Sequence, residues 1–229
     1  AAAALLGLAA SPQGKQAIAA SGGEAVLVAA LASPTSAEAL VSVAGTVQYM
    51  ANGGDDFRDG LLNAGAVKAL VGVVSRNESP VAQENALAAL RALCAVDRGL
   101  REAVENGGVA PLLGLLADSG NNIAAKIAAI LWKIAEVEEF REELVRQNGI
   151  EGLIRLLAHG KGEAAENALG AVCNLALNAA CHTKIMKAGG ALPFVKLLGS
   201  VNPDTQVKSA AMIWNLATTP ANRGPLVEA

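Results

Sequence analysis

Asn167, Gly170 and Asn174 recur at steps of three and four residues within EAAENALGAVCNLA, residues 163–176. On a helix that spacing places them on one face. The face is small and uncharged, where a solvated face usually carries Glu and Lys. An Asn amide both donates and accepts, so it can hold a ligand's peptide bond without reading a side chain. The chemistry on offer is recognition rather than bond-making. His159 and His182 stand apart from any HExxH pattern and from any cysteine at ligand spacing. HGKG at 159–162 lacks the rest of a phosphate loop, GGDDFRDG does not space its acids as a calcium loop does, and no GxSxG elbow occurs. We expect no enzyme, no cofactor and no metal.

The opposite face of the same stretch is apolar. Ala168, Ala171, Val172 and Leu175 form a stripe at helical spacing. Such a stripe must be buried against other helices. Composition agrees, since apolar residues make up 52% of the 229 and aromatics only 3%. An Ala- and Gly-rich chain suits close helix packing, whereas a β-sandwich wants more Val, Thr, Tyr and Phe. The net charge of −3 does not draw the chain to nucleic acid or to an acidic membrane. The longest apolar candidate for a membrane span, 123–135, is interrupted by Lys126 and Lys133. Cys94, Cys173 and Cys181 are odd in number and form no CxxC pair, which fits buried thiols in an intracellular, cytoplasmic or nuclear setting. The sequence opens on Ala and reads as a piece of a longer protein.

The pattern repeats. Apolar pairs ending at Leu31, Val74, Leu116, Leu157 and Leu198 follow one another at steps of 43, 42, 41 and 41. QYMA, RALC, WKIA, CNLA and WNLA close a helix in the same phase. Starts at Gly22, Gly65, Gly107, Asn148 and Gly189 divide the chain into a partial repeat, 1–21, and five repeats, 22–64, 65–106, 107–147, 148–188 and 189–229. Each opens with a Gly turn and a short helix, then a polar break such as SRNESP, ADSGNN, HGKGE or GSVNPD. A longer helix of two faces follows, then another short helix such as FREELVRQ or HTKIMKA. Ser, Asn, Asp and Pro in the breaks supply turn and capping chemistry. No repeat can bury its stripe alone, so stacked neighbours must share one interior.

ENALGAVCNLA, SAAMIWNLA, GGALPFVKLL and the period near 42 resemble the armadillo repeat family over essentially the whole chain. The resemblance implies an all-α, right-handed superhelix with three helices per repeat, whose third helices line a concave groove. HEAT repeats share the length but usually lack the Gly-initiated helix and the Asn-Leu-Ala ending.

The third-helix triplets are Ser42/Gly45/Tyr49, Asn85/Ala88/Ala92, Lys126/Ala129/Lys133, Asn167/Gly170/Asn174 and Lys208/Ala211/Asn215. Gly or Ala in the middle suggests a shallow floor. Helices about 8–10 Å apart and a strand rise of about 3.3 Å give about three ligand residues per repeat. In the family, asparagines at the positions of Asn174 and Asn215 hold extended peptides, and only these two inherit that role. Tyr49, Ala92 and Lys133 replace Asn elsewhere. Importin-alpha-like carriers have Trp where this chain has Gly45, Ala88, Ala129, Gly170 and Ala211, so the resemblance runs to beta-catenin-like repeats. Trp132 and Trp214 are candidate aromatic anchors, or fillers between repeats. Arg91, Lys126, Lys133 and Lys208 bias the groove toward an acidic ligand, with Glu84 and Glu166 nearby; the lysines also suit a solvated face.

A second series, Lys15, Arg58, Arg101, Arg141, His182 and Arg223, recurs at steps of 43, 43, 40, 41 and 41. It suits either a basic stripe for acidic partners or side chains that bond carbonyls at the end of the preceding third helix. The expected function is a protein-binding scaffold or adaptor that holds an extended or helical peptide segment. The alternative is a substrate-recognition or regulatory region of a larger enzyme, such as a U-box ubiquitin ligase. Ends without polar caps also allow copies to stack on one another.

Overall fold

The computed structural model describes residues 1–76, 78–117 and 119–229. Asn77 and Asp118, which belong to the SRNESP and ADSGNN breaks, lie outside the described residues. The described chain is helical throughout, with no strand. It forms two compact units, Ala1–Pro111 and Leu112–Ala229.

The first unit holds α1 (Ala2–Ala9), α2 (Pro12–Ala20), α3 (Gly23–Ala32), α4 (Ala37–Ala51), α5 (Asp55–Asn63), α6 (Ala66–Arg76), α7 (Pro80–Leu93) and α8 (Asp97–Glu105). Helix α9 (Val109–Leu116) runs through the division between the units. The second unit continues with α10 (Asn121–Glu136), α11 (Glu138–Arg146), α12 (Gly149–His159), α13 (Glu163–Leu175), α14 (His182–Lys187), α15 (Ala191–Leu197), α16 (Pro203–Ala217) and α17 (Arg223–Val227). Within each unit a long helix follows a shorter one across a polar break.

Those breaks do the capping that their composition suggests. Ser36 Oγ accepts from Ala39 N at 3.1 Å to start α4, and Ser79 Oγ accepts from Ala82 N at 3.3 Å to start α7. Asn202 Oδ1 accepts from Asp204 N at 3.0 Å ahead of α16. Pro80 and Pro203 occupy opening positions of their helices, where an N–H is not needed. The turns into the short helices are left-handed at Gly22, Gly65, Gly107, Asn148 and Gly189. Asn148, with φ of 59°, is the one non-glycine among the described residues with positive φ. Asn tolerates that region better than most side chains do. A Cβ on Gly149 would lie 2.7 Å from the Leu144 carbonyl oxygen, so the next position needs Gly for a different, steric reason.

Burial follows the apolar stripes. Ala168, Ala171, Val172 and Leu175 are each 0% exposed. On α10, Ile127, Ile130, Leu131 and Ile134 are buried as well, and α10 packs directly on α13. The alanines let these helices approach closely, so dispersion contacts and apolar burial are gained without large side chains.

Carbonyls at the ends of the long helices are then tied down. Arg141 Nε donates to Ala135 O at 2.8 Å and its Nη2 to Glu136 O at 3.2 Å, closing α10. Arg223 Nε donates to Ala217 O at 2.9 Å, closing α16. His182 Nε2 lies 3.0 Å from Ala176 O. A carbonyl can only accept, so Nε2 carries the proton, and Nδ1 receives the Thr219 hydroxyl at 3.3 Å. These three side chains take the structural option of the basic series. In the first unit Arg58 instead pairs with Asp55.

Candidate functional site

In the second unit, α10, α13 and α16 carry a polar and aromatic strip. Its residues do not all play the part that spacing suggested. Asn167 is 7% exposed, and its Nδ2 donates to Ala125 O at 3.1 Å. That amide joins α13 to α10. Asn85 does the same in the first unit, donating to Val41 O on α4 at 3.4 Å. Both bridges run to the carbonyl just before the matching position of the preceding long helix. Asn85 and Asn167 therefore act in stacking, because a buried carbonyl needs a partner.

Gly170 needs a correction too. It is not an open floor. A Cβ placed there would fall 2.7 Å from Trp132 Cε2 and 2.9 Å from Cδ2 and Nε1. The indole of Trp132 lies across α13 at this point. In the first unit the corresponding Gly45 is closed in the same way, since a Cβ there would stand 2.9 Å from the Leu6 side chain and 3.3 Å from Asn85 Nδ2. Ala occupies the equivalent positions 88, 129 and 211. A glycine in mid-helix where other copies have Ala costs helix stability, and that was the available signal for a close approach.

Lys208 on α16 completes the arrangement around Trp132. Its Nζ stands 5.5 Å from the ring centroid, within cation–π range. The same ammonium lies near Cys173 and favours its thiolate, but burial outweighs it and pushes that thiol up to about 11. Trp214 is 73% exposed. Asn215 is half-buried, and its side-chain amide makes no hydrogen bond among the described residues. Asn174 is the unusual one. Its Nδ2 is buried and has no hydrogen-bond partner. Such a donor forfeits about 1–3 kcal/mol of hydration for as long as nothing accepts from it.

Other cations are partly engaged. Lys126 Nζ donates to Asn122 Oδ1 at 2.8 Å, and Lys133 Nζ meets Glu136 Oε2 at 2.8 Å. Glu166 accepts from Asn202 Nδ2 at 3.0 Å, which draws its carboxylate to the break before α16. Tyr49 is 43% exposed on α4, and Arg91 is exposed on α7. Both belong to the first unit. Among the described residues no three His, Cys, Asp or Glu side chains gather as a metal site would require, and no helix is long and apolar enough to cross a membrane.

The family model for the Armadillo/beta-catenin-like repeat matches residues 138–177, which span α11 to α13. The long helices, the left-handed turns and this match agree. Residues 138–177 match an armadillo repeat, and the described helices have the armadillo fold. Vacuolar protein 8 of Saccharomyces cerevisiae is 28% identical over 129 residues, covering 56% of this chain and 22% of that protein. The chain thus spans about a fifth of that relative's length. Among solved structures, the designed armadillo repeat protein YIII(Dq)4CqI is 25% identical with a TM-score of 0.81, covering 94% of this chain and 91% of its own. A computationally designed armadillo repeat protein for modular peptide recognition has a TM-score of 0.84 at 24% identity, covering 93% and 91%. A third, in complex with the peptide (KR)4, has a TM-score of 0.78 at 22% identity, covering 93% and 90%.

Proposed function

We propose that this armadillo chain is a non-catalytic protein-binding module that holds an extended peptide along α10, α13 and α16. The unpartnered amide of Asn174 carries the reading. Asn167, on the same face of α13, is bonded to a backbone carbonyl, whereas the Asn174 amide is a donor waiting for an acceptor. A ligand carbonyl would meet it, with Asn215 offering the next amide. Trp214 supplies an exposed aromatic surface beside them. Two helix-to-helix steps of about 10 Å admit about six residues of extended chain. Tyr49 and Arg91 would contribute separate contacts in the first unit.

Charge points to an acidic segment. Lys126, Lys133 and Lys208 lie on the second unit's long helices, while Glu166 is held by Asn202. One designed protein of this fold is in complex with (KR)4, a ligand that these lysines would repel.

The test begins by selecting twelve-residue peptides from a random display library against the intact chain. The selected peptide is then titrated against Asn174→Ala combined with Asn215→Ala. Loss of about 1 kcal/mol per amide predicts an affinity about 30-fold lower, with the helical signal unchanged. Selected peptides should be acidic, and (KR)4 should bind more weakly than they do. Equal affinity for the wild type and the double variant would remove the groove reading.

A further inference from the structure

We propose that a cavity between α9, α10 and α12 binds a phosphate monoester, the phosphorylated serine or threonine side chain of a partner. The cavity measures about 260 Å³ and lies wholly within the second unit. It is separate from the Trp132 strip and rests on different residues.

Its walls divide by chemistry. Leu116, Ala124 and Leu156 provide apolar surface fitted to a short aliphatic stem. Arg155 and His159 stand one turn apart on α12 and both line the space. Neither makes a hydrogen bond or ion pair among the described residues, unlike Arg141 and Arg223, whose guanidinium groups close helix ends. Glu151, one turn earlier on α12, does not pair with Arg155. Ser119 also lines the cavity, and its Oγ is buried without a partner. A hydroxyl withdrawn from water with nothing to bond is uncommon, and points to a missing acceptor.

The backbone adds to this. α10 starts at the cavity from Gly120, which offers no side-chain cap, whereas Ser36, Ser79 and Asn202 cap theirs. A sixteen-residue helix presents partial positive charge at that end. Asn121 holds the rim in place. Its Nδ2 donates to Lys161 O at 3.1 Å, and its Oδ1 accepts from Lys161 N at 2.9 Å. A guanidinium with no partner among the described residues, an orphan hydroxyl and a helix start without a side-chain cap around one cavity match a tetrahedral dianion. A fork of guanidinium donors suits phosphate oxygens in particular.

The experiment is an NMR titration of the intact chain at low salt. The probes are phosphoserine with blocked termini, blocked serine, inorganic phosphate, and vesicles containing a phosphoinositide. Phosphoserine should shift backbone amides of residues 119–121 and 155–160 saturably, and blocked serine should not. Arg155→Ala should weaken phosphoserine at least tenfold. Ser119→Ala should weaken it severalfold, and the exposed Arg146→Ala should leave it unchanged. Both Arg155 and Arg146 are solvent-exposed, so the fold is kept in each variant. The proposal is overturned by the absence of saturable shifts, by equal binding to the Arg155→Ala variant, or by vesicles or inorganic phosphate binding where phosphoserine does not.

Discussion

Replacing Gly170 by Ala puts two opposed effects in one methyl group. Ala is better than Gly inside a helix by about 1 kcal/mol, because glycine loses more backbone freedom on folding. Position 170 lies well inside α13, so that gain is available. The added Cβ, however, would sit 2.7 Å from Trp132 Cε2. The indole must retreat by about 0.7 Å to reach 3.4 Å, where ordinary contact begins. Retreat breaks its seat on α13 and its geometry with the Lys208 ammonium, 5.5 Å from the ring. Overpacking of this kind costs about 1–3 kcal/mol. The net result in the wild-type background is about 0–2 kcal/mol of destabilisation. With Trp132→Ala already present the obstacle is gone, and the same change should stabilise by about 1 kcal/mol. The sign therefore reverses with the background, and the coupling is about 1–3 kcal/mol. Urea unfolding followed by circular dichroism on the four proteins measures it. Equal stabilisation in both backgrounds, within about 0.5 kcal/mol, would show that Trp132 does not rest on Gly170 in solution.

Further outcomes follow from the turns and the buried thiols. Asn148→Ala forces a Cβ-bearing residue without a polar side chain to keep φ at 59°, and should lower stability by about 1 kcal/mol in the same urea assay; Asn148→Gly should not lower it. Burial raises the Cys94 thiol from 9.0 to about 12, so the folded state favours the neutral form. That contribution is complete below pH 9.0 and is lost as pH climbs from there toward about 12, at about 1.4 kcal/mol per pH unit. Unfolding midpoints measured from pH 7 to pH 11 should fall more steeply for the wild type than for Cys94→Ala, and parallel curves would contradict the burial argument.

Much of this molecule can be read along one dimension. A repeat's helix stripe, its polar break and its left-handed turn are local, so periodicity alone foretells helices, caps and the place of Asn148. Ala168 through Leu175 are buried where their spacing says they must be. Side chains that reach between helices are another matter. Asn167 and Asn174 have the same chemistry and share a face. Yet one is spent on the Ala125 carbonyl, while the other keeps a buried amide unpaired. Trp132 and Lys208 meet only because α10 and α16 flank α13. The orphan hydroxyl of Ser119 and the Arg155 guanidinium, which makes no hydrogen bond or ion pair among the described residues, share a cavity that no single repeat contains. Spacing within a helix decides which way a side chain faces. What it meets there depends on the neighbouring helices, whose atoms lie about forty residues away and are related by packing, not by sequence.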